Sequence, residues 1–215
     1  MLGVYVTVPV ACFRKGMARE YLETDPIPPP STCYGFLLSL VGEIDRGRHE
    51  HARVTCGLIG KPDKSVVLRT VWRVKSKPLG SPGNTRPDYQ QLLTNIQLVM
   101  WLDSSCEREQ TSTLESRVTT ALLPDRRSQI DRFGGLSLGE STHLVDEVLQ
   151  LERYTVREPE QSVRLFVLKD RGRMTLPVWV DHVGSAGTRY ATGDMELRAI
   201  CDVPEVDEMP LISSA

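Results

Sequence analysis

The chain lacks any apolar run long enough to cross a bilayer. Its longest, Ile96 to Leu102 and broken by Gln97, falls far short of the roughly 20 residues that a spanning helix needs. The opening Met1-Leu2-Gly3-Val4-Tyr5 has neither the basic segment nor the small-residue cleavage site of a secretory signal. A cytoplasmic location with no membrane contact is therefore expected. Cysteine is sparse and unpatterned: Cys12, Cys33, Cys56, Cys106 and Cys201 form no C-x-x-C pair and are odd in number. That excludes a disulfide framework and a zinc ribbon, and reads all five as reduced core residues. Excess charge of either sign is missing too. A net charge of -2 and a pI of about 6.1 exclude a protein that grips nucleic acid with its whole surface. There is no G-x-S-x-G, no H-E-x-x-H, no P-loop G-K-[ST] and no dinucleotide fingerprint behind a buried strand.

What remains is an ordinary globular composition, 40% hydrophobic and 25% charged over 215 residues, suited to one domain with or without a small appendage. A chain of this size buries roughly 70% of its unfolded surface. The basic residues are uneven in kind, since 20 of the 26 are arginine, whose planar fork suits phosphates and base edges as well as ion pairs. Acidic residues gather near the end (Asp194, Glu196, Asp202, Glu205, Asp207, Glu208), where they could meet a basic partner.

Period-two alternation of Leu2, Val4, Val6, Val8 and Val10 predicts an opening strand. A polar connection, Arg14 to Pro30, leads to Ser31-Thr32 as a cap and a helix from about Cys33 to Ile44. A second strand spans Val66 to Lys77. It has Leu68, Thr70, Trp72 and Val74 on an apolar face and Arg69, Val71, Arg73, Lys75 and Lys77 on a mostly cationic one. Pro78 to Pro87 is a loop or hairpin tip, and Ile96, Leu98, Met100 and Leu102 mark the next strand. Ser112 and Glu115 have capping-box spacing before a helix that Pro124 ends. Strands follow at about Leu149 to Val156, Val163 to Lys169 and Leu176 to Val183. The order fits an α+β, ferredoxin-like (RRM-like) split βαβ sheet over residues 1–148, with a β-rich C-terminal extension over 149–215.

The most distinctive stretch is Arg132-Phe133-Gly134-Gly135-Leu136-Ser137-Leu138-Gly139-Glu140-Ser141-Thr142. Its glycines permit close backbone approach and could offer amides to a phosphate; a turn that merely packs is the alternative. Together with Pro30-Ser31-Thr32-Cys33-Tyr34-Gly35-Phe36-Leu37-Leu38-Ser39-Leu40-Val41-Gly42 and Arg86-Pro87-Asp88-Tyr89-Gln90-Gln91-Leu92-Leu93, this loop resembles the Cas-five family of type I CRISPR systems. The matching segments span about two thirds of the chain, from Leu2 to Val145.

The resemblance implies a non-catalytic subunit of the Cascade surveillance complex. It would hold the five-prime handle of the guide RNA (crRNA), contact a Cas-seven-type backbone subunit and a Cas-eight-type large subunit, and meet target DNA only through the complex. It also implies a thumb-like β-hairpin, matched to about residues 71–92, with Arg73, Lys75, Lys77 and Arg86 supplying charge. Single-stranded RNA is held by cations along its backbone and by stacking on planar side chains. Tyr34, Tyr89 and Trp72 are stacking candidates, although Trp72 lies on the apolar strand face, where core packing competes. Arg14, Lys15 and Arg19 in the first loop are RNA-contact candidates against the alternative of a solvated loop. Arg126, Arg127 and Arg132, leading into Gly134, Gly135 and Ser141, are candidates against an ion-pair network with Asp125 and Asp131.

Some members of the family cut precursor RNA, so a metal-independent endoribonuclease is the alternative function, with Tyr34 or Tyr89, a lysine and His143 as conceivable participants. His49 and His51 flank Glu50 in what reads as a solvated polar loop rather than a metal site. No cofactor and no metal are expected.

Overall fold

Alternation makes the first strand as expected: Leu2, Val4, Val6 and Val8 all enter the main core. The structure, a computed structural model, describes residues 1–16, 18, 21–72, 78, 80–108, 112–132 and 134–214. In chain order the elements are β1 (Leu2–Ala11), β2 (Tyr21–Leu22), α1 (Pro30–Leu40), β3 (Arg53–Ile59), β4 (Asp63–Trp72) and β5 (Thr85–Asp103). Then come α2 (Leu114–Ala121), β6 (Glu147–Gln150), α3 (Leu151–Thr155), β7 (Ser162–Leu168), β8 (Met174–Trp179) and β9 (Arg189–Ala199).

Among the described residues these build one nine-stranded, mostly antiparallel sheet of order β6-β1-β5-β3-β7-β9-β8, with β2 and β4 each pairing with β5 off that path, giving an α+β fold. The long β5 has two roles. Its first half pairs with β4 from Thr85↔Trp72 to Thr94↔Asp63 as a hairpin, and its second half lies between β1 and β3. The strand pattern that begins at Val66 in the sequence therefore starts earlier, at Asp63. β7, β9 and β8 continue the same sheet beyond β3, through pairs such as Gly57↔Leu165. No helix among the described residues is long and apolar enough to cross a membrane.

Both faces of the sheet are covered. On one, α1 and α2 bury Phe36, Leu37, Leu114 and Val118 against β1, β3 and β5. On the other, Tyr5, Val99, Trp101 and Leu165 pack with Leu151 and Tyr154 of α3, the Tyr5 and Tyr154 rings stacking at 4.0 Å. β1 is thus buried on two sides rather than half-buried.

Several local expectations shift for identifiable reasons. Helix α1 begins at Pro30, where a missing N–H costs nothing, with Pro29 at the N-cap and no side-chain cap from Ser31 or Thr32. It ends at Leu40 because Gly42, at φ 69°, closes a Schellman turn: Glu43 N–H donates to Leu38 O (2.9 Å) and Gly42 N–H to Ser39 O (3.2 Å). Ile44 is consequently thrown clear of the core, 96% exposed. Thr113, not Ser112, caps α2, accepting from Ser116 N–H. The strand expected from Leu149 to Val156 breaks at Leu151 into α3, and β9 arises where no strand was expected. Cys12, Cys33 and Cys56 are buried thiols, whereas Cys106 and Cys201 are exposed, against the expectation that all five lie in the core.

The acidic C-terminal stretch is largely satisfied within the chain. Arg173 pairs with Asp194, Lys169 with Glu196, and Arg198 with both Glu196 and Glu208, while Glu205 and Glu208 form a reciprocal capping box.

Candidate functional site

The glycine-rich segment leaves α2 through a 3-10 turn (Pro124–Gln129) and folds back on itself. Val145 N–H donates to Leu136 O (3.0 Å), Leu138 N–H to His143 O (3.0 Å) and His143 N–H to Glu140 O (2.9 Å). Leu138 is buried and anchors the loop to the core. Gly139 adopts φ 94° and lies so near the end of β1 that a Cβ there would stand 2.7 Å from Cys12 O, so only glycine fits. His143 fastens the same joint. Its Nδ1 accepts from the amides of Cys12 and Glu140, each at 3.2 Å, which requires the Nε2–H tautomer. Burial of the imidazole lowers its pKa, in keeping with a neutral ring.

Glu140, at the tip of this turn, reaches the hairpin. It accepts from Arg69 Nη1 (3.0 Å) on β4 and from Gln90 Nε2 (2.7 Å) on β5, and Arg69 also donates to Gln90 Oε1. Strand register puts Arg69, Arg86, Asp88 and Gln90 on one face of the hairpin, and Asp88 and Gln90 are buried. Arg69 and Gln90 thus lie on the hairpin face that meets Glu140 of the glycine loop, while Val66 and Leu68 lie on the opposite, exposed face. Neither Arg69, Gln90 nor Glu140 was singled out as a site residue in the sequence. Arg69 was visible only as one of several cations on a strand face, and Glu140 only as a neighbour of glycine.

The first loop joins the same region through Cys12. Phe13 N–H donates to Thr24 Oγ1 (2.9 Å) and Asp25 N–H to Phe13 O (2.7 Å), fixing a narrow turn that displays Arg14 and Lys15. Both are exposed; Arg14 donates to Ala18 O (2.7 Å) and Lys15 pairs with Glu23 (3.3 Å). Arg86 pairs with Asp88 at 3.0 Å. Arg126 donates to Gln129 Oε1 (3.2 Å), and Arg127 and Arg132 are exposed. Among the described residues Arg126, Arg127 and Arg132 make no ion pair, so the competing network with Asp125 and Asp131 does not form there. Gly134, Gly135 and Ser141 are exposed along the loop. Arg19, Arg73, Lys75 and Lys77 lie outside the described residues, as does the side chain of Trp72.

Tyr34 is withdrawn from the stacking candidates. Its ring is only 2% exposed, packed within the α1 side of the core, and its hydroxyl donates to Arg46 O at 2.7 Å. Burial raises its pKa, so it cannot serve as a base either.

A cleft of about 780 Å³ opens beside the glycine loop, walled by Thr32 and Gly35 of α1, by Arg132 and Gly139, and by Arg46 and His182. Arg46 is held over the Trp179 ring at 4.3 Å and donates twice to Val180 O, both at 3.2 Å. Arg132 forms part of this cleft and of the smaller one behind it, which also contains Arg127.

His49 is fully buried, not solvated. Arg117 Nη1 donates to its Nε2 (2.9 Å), so Nδ1 carries the proton and donates to Glu107 Oε2 (2.7 Å). Glu107 in turn accepts from Ser104 Oγ and from Leu114 N–H (3.1 Å), and Arg117 also grips Glu43 (2.5 Å). This network binds the loop after α1 to the start of α2 and has no metal-binding geometry. Among the described residues no group of three or more His, Cys, Asp and Glu side chains could hold a metal ion.

No protein-family model matches the sequence. The chain is 46% identical over 217 aligned positions to a CRISPR-associated protein Cas5 of Myxococcus xanthus (strain DK1622), an alignment covering 100% of this chain and 98% of that protein. A chain of a solved CRISPR RNA-guided surveillance complex superposes with a TM-score of 0.61 at 15% identity, covering 92% of this chain and 89% of that one. The second comparison speaks for the fold alone.

Proposed function

The chain belongs to the Cas5 family of CRISPR-associated proteins, and from that membership we propose that it is a non-catalytic subunit of a type I Cascade complex that holds the five-prime handle of the crRNA. The observation that carries the reading is the Arg69–Glu140–Gln90 junction. It joins the glycine loop to the hairpin, while His143 joins the loop to the Arg14–Lys15 turn. Two separately predicted RNA-contact regions thus flank the third, the glycine loop. Exposed Arg126, Arg127 and Arg132 supply cations for a phosphate backbone, and Gly134 and Gly135 allow its close approach.

In this reading the hairpin, whose pairing runs from Asp63 to Thr94, is the thumb, and residues 1–148 form the RNA-binding domain. The order β6-β1-β5-β3, with α1 crossing from β1 to β3 and α2 from β5 to β6, supports a ferredoxin-like split βαβ unit for that domain. Residues 149–215 are then an extension of the sheet. Contacts with a Cas-seven-type backbone subunit, a Cas-eight-type large subunit and, through them, target DNA belong to the same proposal. Two of the ribonuclease candidates speak against that alternative: His143 spends Nδ1 on two backbone amides and Tyr34 is enclosed, which leaves Tyr89 as the exposed one.

Affinity capture of the tagged protein from cells carrying its CRISPR locus, followed by sequencing of bound RNA, tests the function. Enrichment of guide RNAs sharing one five-prime end is expected, and recovery of no RNA above a tag-only control would refute it. Cleavage of precursor RNA by the purified chain, lost in His143→Ala, would replace the non-catalytic reading with the nuclease one.

A further inference from the structure

Tyr21 and Tyr89 stand side by side on the outward face of the hairpin. Parallel pairing of β2 with β5 sets Tyr21 opposite Tyr89 and Leu22 opposite Gln90. Leu22 and Gln90 are buried, which leaves the two tyrosines on the solvent side, 41% and 52% exposed. Strands so paired lie about 4.8 Å apart, so the two side chains leave the sheet from adjacent positions on the same face. On the other flank, antiparallel pairing places Leu68, 61% exposed, directly across from Tyr89.

One member of this face is held in place by polar contacts. Gln91 Oε1 accepts from Thr24 N–H (3.2 Å) and Gln91 Nε2 donates to Tyr21 Oη (3.1 Å), so the tyrosine hydroxyl keeps its own proton for an outside acceptor. A surface meant only for aliphatic side chains gains nothing from a donor fixed in this way. An unpaired nucleobase uses both features, since its flat face stacks on rings and its edge accepts hydrogen bonds.

We infer that Tyr21, Leu68 and Tyr89 form a stacking platform for one unpaired base of single-stranded RNA, with the Tyr21 hydroxyl donating to the edge of that base. The platform rests on the RNA-binding reading above and extends the RNA path from the arginine-bearing face of the hairpin to its opposite, exposed face.

The test measures binding of a fluorescein-labelled single-stranded RNA bearing the handle to the purified full chain. The variants are Tyr89→Ala, Leu68→Ala, Tyr89→Phe, Tyr21→Phe and the triple Arg126→Ala, Arg127→Ala, Arg132→Ala. Tyr89→Ala should weaken binding about tenfold, within the range for one lost stacked base, with its salt dependence unchanged because no phosphate contact is removed. Tyr89→Phe should bind like wild type, and Tyr21→Phe should lose severalfold. Wild-type affinity for Tyr89→Ala and Leu68→Ala, alongside weakened binding by the triple variant, would overturn the platform and leave the RNA-binding reading intact. Unchanged RNA affinity with reduced capture of purified partner subunits would overturn it in favour of a protein-docking face. No RNA binding by wild type would overturn both readings together. Tyr21→Phe and Leu68→Ala, both expected to weaken binding, keep the test decisive if Tyr89→Ala fails to fold.

Discussion

Replacing Gly139 with alanine tests how tightly the glycine loop is locked to the end of β1. Two costs add at this position. A residue with a side chain at φ 94° carries conformational strain of about 1–3 kcal/mol. The new methyl would also stand 2.7 Å from Cys12 O, where 3.4 Å is the near limit of ordinary contact, so loop and strand must part by 3.4 − 2.7 = 0.7 Å. That displacement stretches the 3.2 Å bond from Cys12 N–H to His143 Nδ1, which contributes about 1 kcal/mol, while the Glu140 N–H bond to the same nitrogen lies within the loop and is kept. Gly134→Ala is the matched control: its φ is 76°, but a Cβ there meets nothing within 4 Å, so only the conformational cost applies. The expected loss is about 3 kcal/mol for Gly139→Ala against about 1 kcal/mol for Gly134→Ala. By calorimetry that is a fall in Tm of about 6–12 °C against about 2–4 °C for a chain of this size. Equal melting temperatures for the two variants would refute the close contact with Cys12.

Arg117→Ala leaves Glu43 and buried His49 without their shared donor and should lower urea-unfolding stability by about 2–3 kcal/mol, more than Arg48→Ala on the exposed side of the same carboxylate. Acid sensitivity should follow from Glu43: burial works to raise its pKa, but donation by Arg117 and the Asp45 amide outweighs burial and holds it at about 2. A carboxyl held below its ordinary value stabilises the fold fully above about pH 4.5 and loses that contribution as pH falls toward 2, so Glu43→Gln should flatten the urea midpoint between pH 5 and pH 3. Tyr154→Ala removes the ring stacked on Tyr5 and should cost about 2–4 kcal/mol in thermal unfolding without altering RNA affinity, since that face lies across the sheet from the glycine loop.

Several strands were legible in the sequence: β1, the second half of β5 and β7 lie where Leu2 to Val10, Ile96 to Leu102 and Val163 to Lys169 read as strands, whereas the apolar face of β4, with Leu68, turns to solvent. β9 was not, because the residues that alternate with Thr192, Asp194, Glu196 and Arg198 are mostly small (Ala191, Gly193, Ala199), so the apolar signal is weak and pairing with β7 and β8 fixes the strand. The end of α1 was readable in Gly42, whose close approach to Asp131 O leaves no room for a Cβ, but the longer apolar spacing through Ile44 masked it. The glycine loop was recognised as a feature, while its partners were not. Glu140 and Arg69 are 71 residues apart, and no local pattern announces a bond of that range. The same holds for His49 and Glu107, separated by 58 residues.

Equilibrium binding of the handle RNA to the purified chain across a series of salt concentrations tests the central claim most directly, with wild type compared to the triple Arg126→Ala, Arg127→Ala, Arg132→Ala variant. Each phosphate contact on a single strand contributes about 0.7 to the slope of log affinity against log salt. The variant should therefore bind more weakly and lose about 2 from the wild-type slope while melting at the wild-type temperature. Superimposable salt titrations for the two proteins would contradict the account.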